Sequence, residues 1–207
     1  MARAVDVLGE RWALLIIRDL LIGPQRFTDL RHGLPKIPTN VLTTRLKELE
    51  AAGVVERVIL PRPETAVVYQ LTDYGQQLDE IVLALGRWGA QRMGEPGPDD
   101  IVTPNSLTMA MRTTFSPEAA KGVEASFEMH AGDIVVHMVI DDGTLVSAPG
   151  PLPGADLVIE TGPEIRSLMA GEVTPSQAIK QGIVSITGKK DLLGVFARVF
   201  HIGPEAA

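Results

Sequence analysis

The sequence predicts an α+β chain made of two unlike parts, and three observations carry that prediction. Residues 26–75 run as two helical stretches, an alternating pair and a further helix start. Residues 94–100, Gly-Glu-Pro-Gly-Pro-Asp-Asp, punctuate the chain with glycine and proline. Beyond them, short alternating runs mix with short helices, the pattern of an α+β domain with a mainly antiparallel sheet. The chain of 207 residues exceeds the first unit, so a second domain is required. Domains are expected at 1–94 and 101–207, with a linker at 95–100.

In the first part, residues 3–22 place Val5, Leu8, Trp12, Leu15 and Ile16 on one helical face, which Leu14, Ile17, Leu20 and Leu21 widen almost all round. One helix buried on more than one side is expected, ended by Gly23-Pro24. The next begins at Phe27 with Arg26 near its start and carries Phe27, Leu30 and Leu34 inward. A third, over 38–52, turns Val41, Leu42, Leu46 and Leu49 to the core. Its other face offers Thr39, Asn40, Thr43, Thr44, Arg45 and Lys47. Short hydrogen-bonding groups near the helix start, with longer cationic ones further along, are what a helix needs to approach base edges and phosphates. Residues 26–47 hold five cations (Arg26, Arg31, Lys36, Arg45, Lys47) against one acid, Asp29.

After Gly53 the period changes to alternation, 54–60 and 67–71, around Pro61-Arg62-Pro63-Glu64-Thr65. Two prolines hold Arg62 extended at the tip, as suits a loop touching a phosphate backbone. Helix, turn, helix and hairpin in this order are a winged helix-turn-helix signal, whose predicted DNA contacts are Arg26, Thr39, Asn40, Thr43, Thr44, Arg45, Lys47 and Arg62. Thr72 or Asp73 caps a following helix with a stripe of Leu78, Ile81, Val82, Leu85 and Trp88.

In the second part a helix is expected at 103–114, then strands at 123–130 and 134–140 joined by Ala131-Gly132-Asp133. Further strands follow at Leu145 and 157–159, helices at 162–170 and 175–181, a strand at 183–187, and a last helix with Leu192, Leu193, Phe196, Val199 and Phe200. The formal charge of −7 belongs to this part: residues 1–95 balance 12 Lys+Arg against 12 Asp+Glu, whereas 96–207 hold 7 against 14.

Several functions are disfavoured. The absence of cysteine removes disulfides, thiolate metal sites and thiol redox sensing. The apolar run 12–22 is broken by Arg18 and Asp19, far short of a membrane span, and Asp6 and Glu10 do not suit a secretory leader. A bacterial-type cytoplasmic protein is the expectation. Ser106, Ser126, Ser147 and Ser185 lack a nucleophile context, so no enzyme and no cofactor are expected. His130 and His137 are seven apart without a cysteine partner, and no metal site is assigned to them.

With these residues in view, V-D-V-L-G-E-R-W, L-L-I-I-R-D-L-L-I-G-P-Q-R-F-T-D-L, L-T-T-R-L-K-E-L-E-A-A-G-V-V-E-R and Y-Q-L-T-D-Y-G resemble the HxlR-type winged helix-turn-helix transcriptional regulators, over residues 3 to 92. The resemblance implies a homodimer built by helices at both ends of the domain, the helix at 38–52 as recognition helix, and a double-stranded operator. Two departures stand out: the cysteine that the family often carries upstream is missing, and Pro38-Thr39-Asn40 replaces a frequent Ser-Pro-Lys. The second part resembles the sterol-carrier-protein-like domain, through G-A-D-L-V-I-E at 154–160 and L-M-A-G-E-V-T-P-S-Q-A-I-K-Q-G-I-V-S-I-T-G at 168–188. That implies an apolar tunnel between sheet and helices. Phe127, Met129, Val136, Met138, Ile140, Leu168, Met169, Ile179, Ile186, Phe196 and Phe200 then either form simple core or line the tunnel. The function expected is a homodimeric regulator, repression favoured over activation, that senses a hydrophobic small molecule. The alternative is a hydrophobe carrier whose winged domain serves mainly for dimerisation.

Overall fold

The computed structural model describes residues 2–61, 65–90 and 101–203. The chain divides into two compact units, Met1–Ala84 and Leu85–Ala207. The division falls ten residues before the predicted boundary at 94/95, and the predicted linker, 95–100, lies outside the described residues.

Instead of the single helix expected over 3–22, the first unit opens with two, α1 (Ala2–Leu8) and α2 (Arg11–Leu20). Glycine is a poor helix residue, and Glu10 beside it takes extended geometry (φ −87°, ψ 129°), which ends α1 and caps α2. Gly9 still donates to the Val5 carbonyl at 2.7 Å. Then follow α3 (Phe27–Gly33), α4 (Thr39–Ala51), β1 (Val55–Ile59) and β2 (Val67–Leu71). The hairpin is antiparallel, in register from Val55 opposite Leu71 to Ile59 opposite Val67. Thr72 caps α5 (Asp73–Gln76) by accepting the Gly75 N–H at 3.1 Å, while its hydroxyl donates to Gly53 O at 2.6 Å. The predicted helix beyond Thr72 is likewise split, with α6 running Asp79–Ala90.

Ile16, Ile17 and Leu20 of α2 meet Leu30, Leu42, Leu46 and Leu49 in a core closed by Val54, Val55 and Leu71. The three leucines of α4 are spaced i, i+4, i+7, so a single helix face supplies them and leaves the opposite face to solvent.

The second unit contains α7 (Pro104–Thr114), β3 (Glu124–Ala131), β4 (Ile134–Asp141), β5 (Thr144–Pro149), β6 (Leu157–Thr161), α8 (Ile165–Met169), α9 (Pro175–Lys180), β7 (Val184–Gly188) and α10 (Leu192–Val199). The sheet order is β5-β4-β3-β6-β7. Its ladders are antiparallel except β3 with β6, so the mainly antiparallel α+β architecture read from the sequence is found. Asp142 (φ 41°) and Gly143 (φ 83°) form the tight β4–β5 turn, where both central residues must be left-handed. Proline at the first turn and a threonine cap start α7 at Thr103 and α9 at Thr174.

Alternation on β3 sends Ala125, Phe127 and Met129 inward. Phe127, Phe196 and Phe200 stack around one another with centroids 4.9 to 6.3 Å apart, Phe115 joins at 5.7 Å from Phe200, and all but Phe115 are fully buried in the core. The other face of β3 is polar. Ser126 and Asp156 lock the β3 and β6 ends together, Asp156 accepting from Ser126 N (3.0 Å), Ser126 Oγ (2.9 Å) and Lys189 Nζ (2.6 Å). These donors, Lys189 foremost, hold the Asp156 carboxyl below the usual carboxylate range. Glu128 similarly joins His130 Nε2 (2.6 Å) to the Leu152 N–H (2.6 Å), and its carboxyl is lowered by the same two partners, His130 first.

Candidate nucleic-acid interface

The surface that the sequence assigns to DNA is built by α3, its turn and α4. Asp29 accepts the Arg26 N–H at 3.1 Å and so fixes the entry to α3, with Arg26 exposed. The turn closes through Leu34 N–H to Leu30 O (3.0 Å) and Ile37 N–H to Leu34 O (2.9 Å), while Leu34 and Ile37 plug it into the core. Pro38, extended at φ −66° and ψ 140°, then sets α4 going. Thr39, Asn40, Thr43, Thr44 and Lys47 are all exposed on one face of α4, opposite Leu42, Leu46 and Leu49. Thr43 Oγ1 donates back to Thr39 O at 2.9 Å, which orients the threonine and leaves its lone pairs outward.

Arg45 departs from this group. Its side chain is only 25% exposed, bound to Glu48 Oε2 at 2.5 Å and to Glu10 Oε2 at 3.5 Å. Sequence reading placed it on the outer face with its neighbours. A helical wheel does not show Glu10, which the α1–α2 break brings beside α4.

The hairpin is pinned by a feature that sequence reading missed. Gln25, just before α3, pairs with Tyr69 of β2 through two backbone hydrogen bonds, Gln25 N–H to Tyr69 O (2.9 Å) and Tyr69 N–H to Gln25 O (2.8 Å). A single β-bridge thus ties the wing to the entry of α3. The signal available was Gly23, whose φ of 155° turns the chain before it. Arg57 lies over the Tyr69 ring at 5.7 Å. The predicted wing-tip contact, Arg62, lies outside the described residues.

Of the residues proposed to line a tunnel, Phe127, Met129, Val136, Met138, Ile140, Leu168, Met169, Phe196 and Phe200 are buried together in one core. Ile186 packs at its margin, and Ile179 is 43% exposed on α9, away from that core. Spacing could not separate Ile179 from its buried neighbour Ala178, because α9 is too short to show a full apolar stripe. A polar hollow between β6, α8, α9 and β7 is lined by Glu160, Thr161, Gly162, Glu164, Gln181, Gly182, Ile183 and Ser185, and none of the predicted tunnel residues borders it. His130 bonds Glu128, and His137 Nδ1 meets Gly150 O at 2.9 Å.

A helix-turn-helix whose second helix is apolar within and polar outside, tied to a two-stranded wing, defines the winged helix-turn-helix class. Comparison with known proteins narrows it. The family model described as HxlR-like helix-turn-helix matches residues 7–96. An uncharacterized HTH-type transcriptional regulator of Bacillus subtilis, YvaP, is 42% identical over 89 residues, covering 43% of this chain and 82% of that protein. The HTH-type transcriptional regulator YodB of the same organism is 40% identical over 97 residues, 47% of this chain and 86% of its own length. Among solved structures, the reduced form of YodB is 37% identical over 47% of this chain and 95% of that one, with a TM-score of 0.41. The chain belongs to the HxlR-like helix-turn-helix family through its N-terminal part. Residues 97–207 lie beyond the matched segment.

Proposed function

We propose that the chain is a homodimeric, DNA-binding transcriptional regulator, a repressor, whose C-terminal domain responds to a hydrophobic small molecule. One observation carries the DNA-binding reading: in a domain of this family, α4 presents Thr39, Asn40, Thr43, Thr44 and Lys47 on a single exposed face while its leucines fill the core. Arg26 flanks this face and Arg45 stands at its edge, while Arg62, a further contact proposed from the sequence, lies outside the described residues. Asn40 offers the bidentate amide that suits adenine, and Lys47 a phosphate contact.

Dimerisation is supported by α6, which leaves Ile81, Leu85 and Trp88 exposed at 49%, 46% and 73%. Large apolar residues at i, i+4, i+7 on one uncovered helix face are the mark of a surface awaiting a partner. A twofold dimer would set two α4 helices about one DNA turn apart, with half-sites about 10 base pairs centre to centre.

The effector reading rests on the sterol-carrier-like motifs and on the apolar layer between sheet and helices. The 207 residues contain no cysteine, so the sensing proposed for this domain does not use a thiol of its own. The close stacking of Phe127, Phe196 and Phe200 favours a second reading, in which this domain is a filled module without a resident ligand. Native mass spectrometry of the purified protein separates the two: a co-purified hydrophobic molecule supports sensing, and a bare mass after extraction controls supports the filled module.

Selection of duplexes from a random pool tests DNA binding, with recovery of a two-half-site sequence as the expected result. On the selected duplex, Lys47→Ala is expected to weaken binding and to reduce the slope of log K against log salt by about 0.9, one phosphate contact. Recovery of no preferred sequence would sink the regulator reading.

A further inference from the structure

We propose that Glu10 acts as an internal competitor of DNA for Arg45, holding back one cation of the recognition helix until a phosphate displaces it. The proposal rests on the DNA-binding reading of α4 given above. Arg45 is the helix cation nearest the middle of α4, yet its guanidinium is committed on two sides. Glu48, one turn further along the same helix, takes Nη1 at 2.5 Å, and Glu10, in the break between α1 and α2, stands 3.5 Å from Nη2. The Nε of Arg45 is buried and has no hydrogen-bond partner among the described residues. One guanidinium between two carboxylates leaves the group with a net charge of −1, so Arg45 adds nothing to the basic face while both acids stay in place.

The two acids do different work. Glu48 is local to α4 and makes the shorter contact, so it sets the direction of the Arg45 side chain. Glu10 comes from another element, is 59% exposed, and makes the longer contact. An exposed ion pair of that length is weak in water, because solvent screens it and both side chains lose freedom in holding it. A DNA phosphate brings a stronger field and releases counterions as it binds, so it outcompetes such a partner. The break at Gly9 thus does more than divide two helices. It delivers a carboxylate to the recognition helix.

The full-length protein with a random-sequence DNA duplex tests this, with anisotropy measured over a salt series. Glu10→Gln is expected to tighten binding about two- to fivefold at low salt, and to steepen the slope of log K against log salt by about 0.9, the value of one added phosphate contact. The gain must disappear in an Arg45→Gln background, since a coupling between two positions is what the double-mutant cycle isolates. Unchanged affinity and slope on Glu10→Gln overturn the proposal. So does an equal gain with and without Arg45, which would report a general loss of negative charge. Should Arg45→Gln fail to fold by circular dichroism, the slope change of Glu10→Gln alone decides, because affinity gained through the general field adds no phosphate contact. If the unaltered protein retains no duplex at any salt, the DNA-binding reading falls first and this inference with it. If it binds and Glu10→Gln is silent, only the inference falls.

Discussion

Strand β3 and helix α6 both carry a clear apolar stripe, and the two meet opposite fates. On β3, Ala125, Phe127 and Met129 alternate inward and are buried, and Phe196 of α10 and Phe200 just after it pack on Phe127 edge to face. On α6, Ile81, Leu85 and Trp88 follow helical spacing just as well and remain exposed. Periodicity reports which residues want burial. It does not report whether the covering surface belongs to the same chain. The difference assigns the two stripes different jobs, the first to hold a domain together and the second, as proposed, to hold two copies together.

The comparison can be broken at its strongest point first. Phe196→Ala removes a fully buried member of the aromatic cluster and is expected to cost about 3–5 kcal/mol in urea unfolding. A loss under about 1 kcal/mol would mean that the cluster encloses adaptable space, as a ligand tunnel requires. Trp88→Glu tests the opposite stripe. As a change on an exposed position it is expected to leave the protomer's folding within about 0.5 kcal/mol. By light scattering it should convert dimer to monomer, with operator affinity falling about a hundredfold once the second head no longer assists the first. A monomeric unaltered protein would remove the dimer from the reading.

Smaller effects sharpen the contrast. Thr103→Ala takes away the cap of α7, whose hydroxyl accepts the Ser106 N–H at 3.3 Å, and should cost about 1 kcal/mol without touching either stripe. The smallest effect distinguishes the two faces of β3. The inner face is indifferent to acid, whereas the outer face carries Glu128 and Asp156, both held below the usual carboxylate range. A depressed carboxylate contributes stability that is present above its unfolded pKa and fades as pH falls through its lower folded value. Asp156→Asn should therefore lose stability near neutrality relative to the parent, and the gap should close as pH drops below about 4. A gap independent of pH would show that packing, not charge, accounts for the effect.

Much of the DNA-reading unit was legible because its logic is local. Leu42, Leu46 and Leu49 mark α4 by spacing, and the change from helical to alternating period after Gly53 marks the wing. The sequence narrows the cap after the wing to Thr72 or Asp73, and the structure chooses Thr72. What was not legible depends on chain segments distant in sequence. The sequence predicts one helix over residues 3–22, and the structure breaks it at Gly9 with Glu10 extended beside it. Arg45 shares its stretch of helix with Thr44 and Lys47, but its neighbour Glu10 lies 35 positions away. Gln25 pairs with Tyr69 across the whole helix-turn-helix. In the second unit, Phe127 and Ile179 looked equally suited to a pocket, and burial separates them completely.

By itself, then, the sequence determined the α+β class, the family of the N-terminal part, the polar face of α4 and the order of elements apart from the breaks that divide α1 from α2 and α5 from α6. Each follows from propensities and periods that act over a few residues, and these survive whatever the chain packs against. Only the tertiary structure decided that the phenylalanines of the second unit pack against one another, that α6 keeps its stripe uncovered, and that Arg45 is held by two acids. Those outcomes depend on which surfaces meet across long separations in the chain, and such meetings are settled by the summed packing of the fold rather than by any local pattern.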